Sequence, residues 1–167
     1  KIPYAIVRPT LIFGDEDVLI NNIAWALRRF RVFPIFGKGD YPLQPVFVDD
    51  VAEMSVHQGS KSLNAVVDAA GPETYTFEEL VRLIAESMGI RSRLVHVSPG
   101  INLALTRLVG YLVNDVVLTR DEVDGLMAGL LVSKGHPVCG TRFSQWLSNR
   151  CADLGRRYAS ELRRHYR

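Results

Sequence analysis

The sequence predicts an α/β fold, in which a few short strands belonging to a larger parallel sheet precede a helix-rich C-terminal part. Three observations predict it. Short β-branched runs alternate with segments of helical period as far as residue 97, and only helical patterns follow. The runs are four or five residues long and too few for a complete doubly wound sheet. The 167 residues are 47% hydrophobic and 23% charged, the balance of one globular domain with a real core.

Tyr4–Val7 is the first strand, and Pro9 stops it. Gly14–Asp15 is turn chemistry. Asp17 caps a helix from about Val18 to Arg31, with Ile20, Ile23, Ala24, Leu27 and Phe30 on one face. Pro34, Gly37 and Gly39 mark a loop. Pro45–Val48 is the second strand. Asp49 or Asp50 caps the next helix, and Glu53 stands where a capping box with Asp50 requires it. Ala65–Ala69 is the third strand and ends at Gly71–Pro72. Thr76 and Glu79 form a capping box for the helix Phe77–Met88, with Gly89 past its end. Leu94–Val97 is the fourth strand, and Ser98–Pro99 opens a helical start. Helices are expected over Asn102–Val113, from the Thr119/Glu122 box to about Val132, over Ser144–Asn149 and over Ala152–Tyr166, with a loop at Gly135–Gly140.

The chain therefore reads as one substrate-side unit, 1–167. Residues 1–70 carry residual sheet and helices, 71–135 a helical part and 136–167 a basic helical tail. A strand as early as Tyr4 needs neighbours, so the chain reads as a portion of something longer.

Several function classes fall away. The net charge of +2 gives no electrostatic case for nucleic acid. Cys139 and Cys151 form no CxxC pair and read as free thiols of a cytoplasmic protein. The apolar stretch Ile101–Leu118 is interrupted by Asn102, Arg107, Asn114 and Asp115, so it reads as a packed amphipathic helix, or alternatively a membrane-surface one. Gly125-x-x-x-Gly129 reads as close helix packing. The tail sets Arg142, Arg150, Arg156, Arg157, Arg163, Arg164 and Arg167 against Asp153 and Glu161. It is a solvated face or, alternatively, a peripheral contact with an acidic partner or anionic membrane.

Catalytic and cofactor motifs are absent from the sequence. Gly37-Lys38-Gly39 lacks a third glycine and a following helix, so no turn here grips a diphosphate. No tyrosine has a lysine four residues on: Tyr4 is followed by Arg8, Tyr41 by Pro45, Tyr75 by Glu79, Tyr111 by Asp115 and Tyr158 by Leu162. A Tyr-x-x-x-Lys acid pair is thus missing. His57, His96, His136 and His165 have no metal-ligand spacing. No catalytic residue and no metal ligand is assigned.

Three blocks nevertheless stand in a telling order: Arg8-Pro9-Thr10-Leu11-Ile12-Phe13-Gly14, Gln44-Pro45-Val46-Phe47-Val48-Asp49-Asp50-Val51-Ala52, and Gly71-Pro72-Glu73-Thr74-Tyr75-Thr76-Phe77-Glu78-Glu79-Leu80. Together they resemble the C-terminal portion of extended or atypical short-chain dehydrogenases/reductases of the NAD-dependent epimerase/dehydratase type. The atypical branch includes the NAD(P)H-binding accessory subunit of respiratory complex I. The resemblance implies a Rossmann-like fold whose glycine-rich N-terminal half is not in this chain.

It also implies that Pro9, Thr10 and Leu11 lie beside the nicotinamide end of NAD or NADP in the intact protein. Phe13, Leu43 and Gln44 would line a substrate pocket, and Asp50 would be a structural cap. Nucleotide-sugar epimerases carry an arginine where this chain has Leu43, and an asparagine where it has Leu11. A diphosphate clamp needs the guanidinium, so the implied pocket is apolar and suits a hydrophobic or lipid-like ligand.

Three functions fit: the substrate-binding part of an NAD(P)-dependent epimerase, dehydratase or reductase, inactive alone; a non-catalytic NAD(P)H-binding or assembly subunit; or a lipid- or quinone-binding module. The isolated chain should self-associate through apolar surface. It is expected to bind no NAD(P)H and turn nothing over, because the diphosphate grip is missing. Fluorescence titration with NADH checks this, and saturable micromolar binding would sink it.

Overall fold

The computed structural model describes residues 2–98, 125–126 and 128–160. Among the described residues, eight strands and four helices follow one another in mixed α/β order. Strand β1 (Ala5–Pro9) leads into β2 (Leu11–Phe13), helix α1 (Val18–Arg29), β3 (Val32–Phe36), β4 (Pro42–Leu43) and β5 (Pro45–Phe47). Helix α2 (Val48–Gly59), β6 (Ala65–Ala69), β7 (Tyr75–Thr76), α3 (Phe77–Ser87), β8 (Arg93–Val97) and α4 (Phe143–Arg150) complete the order. The strands join in pairs: β1 with β6, β2 with β5 and β3 with β8 run parallel, and β4 runs antiparallel to β7.

Local signals place several elements where the sequence puts them. Asp17 accepts the Ile20 amide at 2.6 Å and starts α1, whose Ile20, Ile23, Ala24 and Leu27 are buried. Thr76 and Glu79 close a reciprocal capping box on α3. Gly89, just past α3, takes φ 66°, which an L side chain resists.

Several expectations are corrected. The loop expected around Pro34 is strand β3. Arg93 N–H donates to the Arg31 carbonyl and Gly37 N–H to the Val97 carbonyl, so the odd-numbered residues of β3 face β8. Pro34 lacks its donor on the open side, where a proline costs no ladder bond. Helix α2 starts two or three residues earlier than expected, after Phe47, with no side-chain cap, and neither the Asp49/Asp50 cap nor the Asp50/Glu53 box forms. The acidic pair lies in the first turn instead, where the helix dipole favours it. The helix expected to reach Val132 gives way to a turn from Ala128, in which Gly129 has φ 67°. Gly125-x-x-x-Gly129 is therefore not a continuous helical face. Residues 152–155 form a turn that runs on from α4 and 156–157 a bend, rather than the start of the helix expected over Ala152–Tyr166, with Gly155 at φ 70°. Finally, β2, β4 and β7 are two or three residues long, too short to announce themselves by period.

The expectations for Pro99, the helix Asn102–Val113, the Thr119/Glu122 box, the stretch Ile101–Leu118 and the tail arginines Arg163, Arg164 and Arg167 lie outside the described residues. Among the described residues, no helix is long and apolar enough to cross a membrane.

The main core joins β2, α1, β3, α3 and α4, with Phe13, Ile20, Ile35, Leu43, Leu80, Val81, Ile84, Phe143 and Leu147 at 0% exposure. Phe13 sits at its aromatic centre, its ring 5.4 Å from Phe47, 5.1 Å from Phe143 and 5.2 Å from Trp146. A smaller cluster of Val46, Ala69 and Cys139 packs against Val7, Val51 and Met54, so α2 covers one face of the β1–β6 pair. Ile6 and Val66, in register on the opposite face, are 48% and 52% exposed.

Candidate functional site

The candidate site is the step where one extended chain leaves β6 and joins β5. Thr10 makes the step: its N–H donates to the Ala69 carbonyl at 3.0 Å, and the next amide, Leu11, donates to the Gln44 carbonyl at 3.2 Å. The carboxyl ends of β1 and β6 thus meet the amino ends of β2 and β5. In open parallel sheets, ligands settle outside such carboxyl ends. Pro9 is exposed here, Thr10 is half-buried with its hydroxyl on the Ala69 carbonyl at 3.3 Å, and Leu11 is buried.

Gln44 organises the next layer. Its side chain is buried, and both ends of the amide are engaged: Nε2 donates to the Gly71 carbonyl at 2.8 Å, and Oε1 accepts the Ser133 amide at 3.0 Å. Its own N–H donates to the Leu131 carbonyl at 3.0 Å. Gly71 must be glycine, because a Cβ there would overlap the Pro45 carbonyl oxygen. Phe13 and Leu43 stand in the same layer at 0% exposure. Of the six residues singled out in the sequence, Pro9 and Thr10 thus reach the surface, while Leu11, Phe13, Leu43 and Gln44 form the wall behind them.

Residues 131–144 form a strap along this wall, held by acceptors on Asp68, Ala70, Asp50 and Glu73. Asp68 takes the Ser133 hydroxyl at 2.8 Å on one oxygen and the Arg8 guanidinium at 2.6 and 2.7 Å on the other. The Ala70 carbonyl accepts the Val138 and Cys139 amides. Asp50 accepts the Gly140 amide, the Thr141 amide and the Thr141 hydroxyl at 3.1, 3.0 and 2.9 Å, so it caps the strap rather than its own helix. Glu73 accepts the Ser144 amide at 2.9 Å and its hydroxyl at 2.6 Å, capping α4 from a distant turn.

These contacts set the local acidities. The Ser133 hydroxyl, then Arg8, hold the Asp68 carboxyl below its ordinary range. Burial opposes ionisation of Glu73, but hydrogen bonds from the Ser144 hydroxyl and amide and from the Tyr75 hydroxyl outweigh it, with help from the Arg142 charge, and the net shift is downward. Tyr75 is pushed up to about 12 by burial and by Glu73. Burial and the Asp50 charge raise the Cys139 thiol, which makes it a poor nucleophile.

Asp68, Ser133, Glu73 and the role of Asp50 escaped the sequence reading. One signal was present: Asp68 interrupts the apolar run AVVDA, and a carboxylate in a strand demands a partner. Arg8 lies directly across from it in register. Among the described residues, no cluster of His, Cys, Asp and Glu could hold a metal ion.

No family model matches the chain. It is 26% identical over 139 residues to NADH dehydrogenase (ubiquinone) 1 alpha subcomplex subunit 9, mitochondrial, of Arabidopsis thaliana, covering 77% of this chain and 35% of that protein. It is 29% identical over 91 residues to the protein of the same description from Dictyostelium discoideum, covering 53% of this chain and 25% of that one. The chain thus spans about a third or less of the length of these relatives.

Among solved structures, UDP-glucose 4-epimerase of Thermotoga maritima with UDP-glucose superposes with TM-score 0.51 at 26% identity, over 57% of this chain and 33% of that one. The dTDP-glucose 4,6-dehydratase of Streptomyces venezuelae with NAD bound gives 0.50 at 20% identity, over 56% and 31%. Relatives and neighbours together bear out the resemblance to a partial extended short-chain dehydrogenase/reductase and a Rossmann-like α/β fold.

Two outcomes are expected. Gln44→Leu leaves the Gly71 carbonyl and the Ser133 amide unpaired in a buried place and should cost about 2–4 kcal/mol; chemical denaturation measures it, and a change under ~0.5 kcal/mol would refute the clamp. Asp68 and Glu73 have folded pKa values below their unfolded ones, so their stabilisation is complete above the ordinary carboxylate range, about 4. It is lost as pH falls through the lower folded values. The melting temperature of E73Q should therefore fall less steeply with acid than that of the wild type, and parallel acid limbs would contradict the capping role.

Proposed function

We propose that this chain is the substrate-side portion of a short-chain-dehydrogenase-like protein that serves as a non-catalytic NAD(P)H-binding or assembly subunit of a respiratory NADH dehydrogenase. One observation carries the choice over an enzyme: the wall that would hold substrate is closed from within. Phe13 and Leu43 have no exposed surface, and Gln44 has both ends of its amide engaged by the chain itself. An epimerase-like pocket would need those groups free to meet a ligand.

The relatives' description as subunits of NADH dehydrogenase supports the reading. So do two features of the β1–β6 pair. Ala5 and Val7 direct their main chain away from β6, because the bonds at Tyr4 and Thr10 point the even-numbered residues towards it. Ile6 and Val66 are exposed on the face that also carries the Arg8–Asp68 ion pair. Among the described residues the outer edge of β1 is open, and an open parallel edge suits incorporation into a wider sheet.

Residues of this chain fit only part of a dinucleotide. Pro9, Thr10 and Leu11 would form the wall beside the nicotinamide, chiefly through main chain, and Phe13, Leu43 and Gln44 would be the floor behind it. The grip on the diphosphate would come from elsewhere in the intact protein, since no glycine turn leading into a helix occurs here. The basic residues towards the C-terminus, Arg156 and Arg157 among them, would give a peripheral contact with acidic partners or membrane. The epimerase likeness keeps a second reading in play, in which the intact protein processes a small molecule.

The test is removal of the gene from its source. Loss of fully assembled NADH dehydrogenase on native gels, restored by the full-length protein, is expected. Unchanged assembly, together with epimerase or reductase turnover by the purified full-length protein, would overturn the proposal.

A further inference from the structure

Helix α1 ends in a basic turn, Arg28 and Arg29, and its C-cap Phe30 leaves the helix in extended geometry, at φ −120° and ψ 142°. The chain then passes through Arg31 into β3. Two donors fix that passage: the Arg93 N–H at 2.9 Å and the Ser92 hydroxyl at 3.4 Å both reach the Arg31 carbonyl. The start of β8 is thereby pinned beside the start of β3, with Val32 in register with Arg93. Neighbours in register on parallel strands share a face, and successive residues alternate. Phe33 and Ile35 are buried in the core, so Val32 and Arg93 point outward together.

Apolar surface stays open in this corner. Phe30 is 42% exposed and Val32 50%. The half-buried Trp25 meets Phe30 edge-on with ring centroids 5.8 Å apart, and Tyr158 likewise at 5.2 Å. Around these residues stand Arg29, Arg31, Arg91 and Arg93, all exposed. Among the described residues no carboxylate pairs with any of the four. The adjoining elements offer Glu86, in the last turn of α3, and Asp153, which pairs with Arg156 instead. Arg28 is engaged by the carbonyls of Leu154, Cys151 and Ala152 and is not part of the set.

The combination favours one kind of partner. An acidic protein or a nucleic acid would match the arginines, but aliphatic Val32 has no face on which a base could stack. Aromatic and aliphatic side chains fringed by guanidinium groups suit a membrane interface. The rings settle at headgroup level, and each basic side chain near an anionic leaflet strengthens partitioning about fivefold. We infer that the corner formed by the end of α1 and the starts of β3 and β8 docks onto an anionic phospholipid surface. Phe30 and Val32 enter the headgroup layer, and Arg29, Arg31, Arg91 and Arg93 meet the lipid phosphates. This deepens the peripheral contact proposed above and rests on it. Vesicle binding is read on the chain alone and assembly on native gels, so either can fail without the other.

The test is flotation of the full chain with vesicles of phosphatidylcholine alone and of phosphatidylcholine and phosphatidylglycerol in equal parts. The chain should float with the anionic vesicles only, and less so at high salt. Arg29→Gln combined with Arg31→Gln should weaken that binding about tenfold or more. Both arginines are exposed, so the double variant keeps its core. Brominated phosphatidylglycerol should quench the tryptophan emission of the wild type. Trp25→Phe should abolish the quenching, because the other tryptophan, Trp146, lies in the core. Failure to float with anionic vesicles, flotation unchanged in the double variant, or quenching that survives Trp25→Phe would each overturn the inference. So would binding of an RNA homopolymer or of polyglutamate in preference to vesicles, which would assign the patch to another class of partner.

Discussion

The structure depends on what one buried amide holds together. Gln44 sits between β4 and β5, and its side chain and main chain each bond in two directions. Through its carbonyl it receives β2, and through its N–H it fixes Leu131. Its side chain ties Gly71, at the turn after β6, to Ser133, in the strap. These segments lie far apart in sequence, and strands of two or three residues cannot hold themselves together. A polar side chain with every end satisfied in a dry place specifies one arrangement, because any slip leaves a buried group unpaired. The step at Thr10 and the burial of Phe13 follow from that register.

Around this amide, acidic side chains do for the strap what a strand would do in a regular sheet. Asp68, Asp50 and Glu73 each collect donors from residues 131–144, a stretch with little regular structure before α4. Irregular backbone laid on a core must still satisfy its N–H groups. Carboxylates suit the task because each has several lone pairs and its bonds to N–H are charge-assisted. The arrangement also decides where the acids are ionised, since the same donors that order the strap hold Asp68 and Glu73 as carboxylates.

Much of the fold was legible in the sequence, and the division is physical. The Asp17 cap, the Thr76/Glu79 box and the AVVDA strand rest on neighbours within four residues or on simple alternation, which a single sequence displays. The path of 152–160 rests on Asn21, Asn22 and Arg28, more than 120 positions away. A stretch such as CADLGRRYASELRRHY has good helical period, but Gly155, at φ 70° and packed against the main chain of Ala24 and Trp25, ends the turn that runs on from α4. Asp50 misled for a related reason: a carboxylate beside a helix start matches the local cap pattern, yet a loop 90 residues on offers three donors and wins it. At the candidate site, a motif singled out Pro9 and Thr10, but it could not show the closure of the wall behind them, since burial of Gln44 depends on residues 71 and 131–133.

The likeness to sugar-nucleotide enzymes and the likeness to respiratory-complex subunits need not compete. In this chain the step at Thr10 brings the carboxyl ends of β1 and β6 to the start of β2 and β5. What separates an enzyme from a holder of cofactor is the layer behind it. An enzyme must leave polar groups free there to meet a changing substrate, and such groups destabilise the empty protein. Here that layer carries leucine and phenylalanine, and its one polar member is fully satisfied by the chain. A wall so satisfied gains stability, because no buried group in it is left unpaired by the chain.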